Sequence, residues 1–553
     1  MEKAFEIEGI ISQETEQDEQ IILEGDEAIL LWLEGKDAWN KWMEENPKAE
    51  VSFEGVEFSY KALKEHFPDN ENITSLIDYS FFGREYFSFE GYRFNGCTSF
   101  RKATFSGEAR FDEAVFSGSA DFKNTIFRGE ASFTTANFHD KADFAEANFS
   151  YTYFNSATFS VEAQFYNATF DGMACFHGAI FSGEAGFFKA KFSHETDFNK
   201  ATFSREADFC RVTFSKNANF RNTAFSIDAD FGEAIFAHEV YFNSAAFSGA
   251  AHFYSAQFRS LANFYDATFV DVNFHKTTLS GEACFVNAVF SGVPVFSEAV
   301  FSRNVDISGA SFGDVVEFNG AVFESSLTFI PDEAENITSL DFKGSVFEKQ
   351  LIMSGNFGCV PDLRQTKANL HVDMSQLGVH LRRTKNELGA LREKAIDPDD
   401  AERLCRLKEI AESNKSQKRA LAFHADEQRA SRWGILNPWQ SILDSLYSLT
   451  SNYGQSVLRP FVFLMMSIFV FSHITLSYAD SKQDAQFKTA LVISVATVTP
   501  FMAISKDARN NSIKKIFSDE IPESYYIYGY LHSFFSFIFI FLIGLGLRNR
   551  FRI

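Results

Sequence analysis

Paired cysteines are missing from this chain. Its six cysteines, Cys97, Cys175, Cys210, Cys284, Cys359 and Cys405, lie far apart with no CxxC pair, which excludes a dense disulfide framework. No secretory signal occupies the first thirty residues, which are acidic instead. Both absences fit a reducing cytoplasm better than export. Also missing are a nucleophile elbow, a P-loop with its lysine, an HExxH pair and a dinucleotide fingerprint. We therefore expect a non-enzyme with no catalytic residues, no cofactor and no metal site.

What is there in excess is phenylalanine, 68 residues of 553, whereas ordinary domains are richest in Leu, Ala and Gly. That much of one residue points to a repeat. The formal charge of -23 is concentrated in the N-terminal and central parts, and the C-terminal part is mildly basic, so the two ends are different modules. From Phe100 the aromatics recur at Phe105, Phe111, Phe116, Phe122, Phe127, Phe133 and Phe138, steps of five and six that sum to an eleven-residue period. The run reaches Phe329, with Leu279 and Ile307 as substitutes, and a small residue such as Ala103, Ala109 or Ala114 stands two places before most Phe.

On an α-helix such steps turn the chain by about 140° and 240°, which puts successive Phe on opposite sides. In a continuous strand an odd step reverses the face. What remains is a chain that turns a corner after every short extended piece and returns each Phe to the inside. The Ser-Gly-Glu-Ala steps at 106–109, 182–185 and 280–283 are expected to form corners, with Gly at positive φ. Consecutive five-residue steps around Phe154 and Phe269 should shift corners or bend the coil. Each buried Phe contributes about 2–3 kcal/mol, so the ladder is structural.

Over residues 51–357 the Phe-centred units resemble the pentapeptide-repeat family. The resemblance implies an all-β solenoid, a right-handed four-sided β-helix with 22 residues per coil. Residues 1–50 form an N-terminal segment whose helix over 26–44, with Ile29, Trp32, Leu33, Ala38, Trp39 and Trp42 at helical spacing, should cap the first coil. The hexapeptide Glu-Asn-Ile-Thr-Ser-Leu occurs at 71–76 and again at 335–340, and reads as a matching architectural excursion. Residues 358–435 read as a linker containing an α-helical hairpin, which Asp397 and Pro398 would start.

Residues 436–553 read as a membrane module. It comprises an interfacial helix bearing Trp439, Ile442, Leu443, Leu446 and Tyr447, transmembrane helices over 461–479 and 525–547, and a shorter apolar stretch over 488–504 that is re-entrant or interfacial. Arginines flank the spans (Arg432, Arg459, Arg548, Arg550, Arg552) and bases fill the loop (Lys482, Lys488, Lys506, Arg509, Lys514, Lys515), so charge alone does not orient the module. A folded solenoid without a leader should stay where it is made. We expect a multi-pass protein of the inner (cytoplasmic) membrane with solenoid and C-terminus in the cytoplasm.

The surface feature of the solenoid is an acidic ridge. Glu162, Glu184, Glu206 and Asp228 recur every 22 residues, with Asp208 and Asp230 on neighbouring positions, and stacked like charges repel unless hydrated or answered by a basic partner. The first functional reading is a membrane-anchored scaffold or sensor that binds a protein partner along this ridge. The alternative is an oligomeric, ion-channel-like pore in which Ser494, Thr497, Thr499 and Pro500 form the pore segment between two spans. No Gly-Tyr-Gly filter accompanies it, so potassium selectivity is not supported. Some soluble pentapeptide-repeat proteins imitate DNA to bind topoisomerases. The membrane module argues against that role, and nucleic acid is not an expected partner; the lipid bilayer is.

Overall fold

The computed structural model describes residues 21–78, 84–368, 372–384, 393–479, 486–498, 503–517 and 521–551. The chain divides into two compact units. One is Met1–Ile337 with Gly344–Ile352 and Thr366–Leu370, and the other is Thr338–Lys343, Met353–Gln365 and His371–Ile553.

The first unit is a β-solenoid of short parallel strands. Because the repeat strands pair with their equivalents one coil on, register follows the sequence period: Val115↔Asn137 and Phe116↔Phe138, then Thr202↔Ala224 and Phe203↔Phe225; Ile77–Asp78 instead pairs antiparallel with Arg84–Ser88. Phenylalanines fill the interior and are fully buried, with the alanines two places before them. Rings one coil apart stack face to face, as in Phe116–Phe138 at 4.8 Å and Phe165–Phe187 at 4.7 Å, matching the spacing of hydrogen-bonded strands. Neighbouring columns meet edge to face, as Phe122 does Phe133 at 5.4 Å and 89°. Where threonine replaces the small residue, its hydroxyl is satisfied internally: Thr125 donates to the Phe100 carbonyl at 2.7 Å and Thr223 to that of Phe198 at 2.8 Å.

The corners differ from the sequence expectation. Positive φ falls on the residue three before a Phe, usually not a glycine: Lys102 (+57°), Glu113 (+57°), Asn124 (+59°) and their equivalents. Each sits in a turn closed by a backbone bond such as Ala103 N–H to the Phe100 carbonyl, 3.0 Å. Gly107, Gly183 and Gly281 of the Ser-Gly-Glu-Ala steps do not have positive φ; what requires glycine there is close approach. A Cβ on Gly183 would lie 2.3 Å from the backbone of Val161, and one on Gly281 2.1 Å from that of Ser260. The two short steps are absorbed by straightening a corner. Asn148–Tyr153 and Thr268–Asn273 run as single six-residue strands against seven-residue partners with a register shift, and Phe127–Phe149 still stack at 5.0 Å.

Helices α1 (Gly25–Leu33) and α2 (Lys36–Glu45) replace the single helix expected over 26–44, because Gly35 breaks it at φ +96°. Met43 is buried and Trp42 only half-buried. Trp32 stacks on Phe89 at 5.3 Å and donates from Nε1 to the Ser88 carbonyl, while Trp39 packs on Phe94 at 5.4 Å and donates to that of Arg93. The first coil's rings are thereby covered. A short helix, α3 (Tyr60–His66), follows, capped by Ser59, and both Glu-Asn-Ile-Thr-Ser-Leu copies turn through 3₁₀ geometry and bury their Ile and Leu.

The second unit continues strand pairing beyond residue 357, with Gly355–Phe357 against Leu377–Val379. Helices α4 (Asp400–Ser413) and α5 (Gln417–Ser431) bury Leu404, Leu407, Ile410 and Phe423, and are joined by the Lys408–Glu427 ion pair at 2.7 Å. Helix α6 (Pro438–Ser451) opens with an Asn437–Gln440 capping box and leaves Trp439, Leu443 and Leu446 exposed. Arg432 is buried in an ion pair with Asp444 that Tyr453 joins from both sides, so it is withdrawn from the flanking charges counted above.

Helices α7 (Leu458–Ser477) and α10 (Glu523–Phe551) are long and apolar enough to cross a bilayer. Their large side chains point outward: Met466 is 56% exposed, Phe537 71% and Phe541 62%, which suits lipid and not the core of a water-soluble domain. Helix α8 (Phe487–Val498), about 18 Å long at 1.5 Å per residue, is too short to span. Helix α9 (Ala503–Ile516) is polar, and its end packs with Phe517, Phe471, Ala490, Ile493 and Tyr525 in one cluster.

Candidate functional site

The acidic ridge starts from the alanine register. Ala163, Ala185, Ala207 and Ala229 pair coil to coil, so the residue before each, Glu162, Glu184, Glu206 and Asp228, stands one above another. Their carboxylates do not behave alike. Glu162 is answered by Lys141 at 3.2 Å and by Gln164 at 2.8 Å, and Asp228 accepts the Ala250 N–H at 2.8 Å. Glu184 and Glu206 are exposed, and their carboxylates have no ion pair or hydrogen bond among the described residues.

Asp208 and Asp230 form the neighbouring column, half-buried and in register with each other. Each closes its own corner by accepting a backbone N–H two residues on, Cys210 at 2.8 Å and Gly232 at 2.7 Å. Burial pushes the Asp208 carboxyl up, and the charge of Asp230 adds to it. Cys210 lies between them, and one donor atom from each of the three residues falls within 4.8 Å of the others. Tyr254 folds across Gly232, where any Cβ would strike its ring at 2.1 Å, and places its hydroxyl 3.8 Å from Cys210 Sγ and 3.5 Å from Asp230 Oδ2. A thiol with two carboxylates suits a borderline divalent cation, but burial holds the Cys210 thiol above its usual range and therefore protonated. The spacing 208, 210, 230 matches no ligand motif, and only coil stacking brings these residues together.

In the membrane module Ser494 and Thr497 are buried between helices. Ser494 Oγ accepts from Ser472 at 2.8 Å and donates to the Ala490 carbonyl, and Thr497 Oγ1 donates to that of Ile493 at 2.7 Å. His532 Nε2 lies 3.2 Å from the Ser494 carbonyl, its ring stacked on Phe471 at 4.5 Å. Sequence reasoning overlooked this histidine, which stands in an unbroken apolar run. Thr499 and Pro500 lie outside the described residues.

With this geometry in hand, the solenoid matches the family model described as Pentapeptide repeats (9 copies), over residues 89–136, 133–180, 176–223, 198–246 and 285–330. Over these residues the chain matches the pentapeptide-repeat family, a class that is generally non-catalytic, which supports a non-enzyme assignment. No curated protein and no solved structure matches the chain.

Proposed function

We propose that the protein is a membrane-anchored scaffold whose right-handed, four-sided solenoid stands in the cytoplasm and binds a basic protein partner along the acidic ridge. The observation that carries this reading is the pair Glu184 and Glu206, exposed, stacked and unanswered by any cation among the described residues. Two unpaired carboxylates on successive coils cost stability by repulsion, and a basic partner would turn that cost into affinity. Asp208, Asp228 and Asp230 are spent on backbone N–H groups, which makes the face a poor imitation of a phosphate row. Helices α4 and α5 act in this reading as a hairpin that leads to the two spans. The test is co-purification with Glu184→Lys and Glu206→Lys: loss of the partners recovered with the unaltered chain is expected, and an unchanged set removes the ridge from the account.

A pore is the second reading. It is favoured by the hydroxyls of Ser472, Ser494 and Thr497 and the imidazole of His532, which gather in the interior of the apolar module, where polar groups are expensive. Reconstitution in vesicles distinguishes it: an oligomer with conductance altered by Ser494→Ala supports the pore, and a non-conducting monomer excludes it.

A further inference from the structure

Helix α9 carries four bases, Lys506, Arg509, Lys514 and Lys515, against one acid, Asp507. None of the four has an ion pair or a side-chain hydrogen bond among the described residues, and neither Asp507 nor Glu523 answers them. Arg509 stands apart from the lysines. It is half-buried, and its Nε is covered and has no acceptor. The charge reaches Tyr525, but that hydroxyl is already paired with Thr475 at 3.2 Å. Packing therefore holds this guanidinium in place while no counter-charge neutralises it, which is costly for a cation partly out of water. Lys506, exposed and three residues earlier, lies on the same side of the helix, where like charges repel. Both features call for an anion.

The position of α9 in the module says which anion. Its C-terminal end, with Ile513, Ile516 and Phe517, packs against Tyr478 and Ala479 where α7 stops and against Tyr525 where α10 starts. Those are the ends of the two spans, where a bilayer changes from acyl chain to headgroup. Tyr526, Tyr528 and Tyr530 are exposed on the first turns of α10, as aromatic side chains are at that boundary. We infer that α9 binds the phosphate of an anionic phospholipid headgroup, with Arg509 and Lys506 holding it and Lys514 and Lys515 adding attraction at longer range. A guanidinium meets phosphate oxygens with parallel N–H bonds, and each further base near the surface strengthens the attraction. The site rests on α7 and α10 spanning a bilayer and is independent of the scaffold and pore readings.

The experiment is native mass spectrometry of the full chain, delipidated in neutral detergent and titrated with phosphatidylglycerol, with phosphatidylcholine and with inorganic phosphate. Recovery of the unaltered chain in the membrane fraction checks the spans separately. Phosphatidylglycerol should bind in preference to phosphatidylcholine. Its affinity should fall about tenfold with Arg509→Gln and about fivefold with Lys506→Gln, an exposed position that keeps the test valid if the first variant misfolds. Arg550→Gln, at the opposite end of α10, controls for charge alone and should have the smaller effect. Equal uptake of the two lipids, or an affinity that Arg509→Gln and Lys506→Gln leave unchanged or lower no more than Arg550→Gln does, overturns the site. Displacement of the lipid by inorganic phosphate at equal concentration overturns the lipid assignment in favour of a free phosphate.

Discussion

At the scale of single residues, the solenoid is held by what fits between its coils. Gly183 lies against the backbone of Val161 with no room for a methyl group, whereas Gly178, at φ +65°, would meet nothing closer than Ser156 Oγ at 3.6 Å. Gly183→Ala should therefore lower stability by about 1–3 kcal/mol through overpacking, and Gly178→Ala by about 1 kcal/mol through φ alone, since other residues hold positive φ at equivalent corners. Thermal unfolding of the two variants checks the order. Asp400 makes a second residue-scale case. Its carboxyl is raised to about 6 from 3.8, so its ionisation costs stability, and that cost develops as pH rises from about 4 to about 6. Asp362 and Asp397, held low by arginine, and Glu427, held at about 2 by His424 and Lys408, act the other way and are lost only as pH falls below 4. Asp400→Asn should thus stabilise the solubilised chain at pH 7 by roughly 1–3 kcal/mol, with the difference vanishing toward pH 4 in melts across pH.

Among elements, the two-tryptophan cap is the part on which the first coil depends. Trp39 is fully buried against Phe53, Tyr92 and Phe94. Trp39→Ala should cost about 3–5 kcal/mol and expose ring faces, seen as a lower unfolding midpoint with increased dye binding and aggregation. The elements were legible in the sequence to different depths. The Phe period defined the coil because every inward residue is the same and repeats without interruption. The corner chemistry did not show itself, since a glycine needed for positive φ and one needed for contact with the coil below look identical in one dimension. The ridge was legible as a column, since stacking follows from spacing. Which carboxylates stay free was not, because capture of Ala250, Cys210 and Gly232 N–H groups depends on side-chain direction. The acids around 397–402 read only as a helix start, and Arg364, which pairs with Asp399 and Glu402, lies before that helix, across a fold the pattern does not reveal.

The whole molecule joins an acidic repeat unit to a basic-ended apolar module, and its account rests on where the bilayer puts each part. In the proposed topology α7 and α10 both cross the bilayer, which would leave the solenoid and the C-terminal arginines in the cytoplasm and α9 on the far side. Cysteine labelling with an impermeant maleimide tests this most directly, in a variant lacking the six native cysteines. Ser160→Cys on the solenoid and Asn511→Cys on α9 are suitable probes, both exposed, whereas Ser512 is buried. In intact cells Asn511→Cys should react and Ser160→Cys should react only after permeabilisation. Labelling of Ser160→Cys but not Asn511→Cys in intact cells would contradict the account, as would recovery of the chain in the soluble fraction.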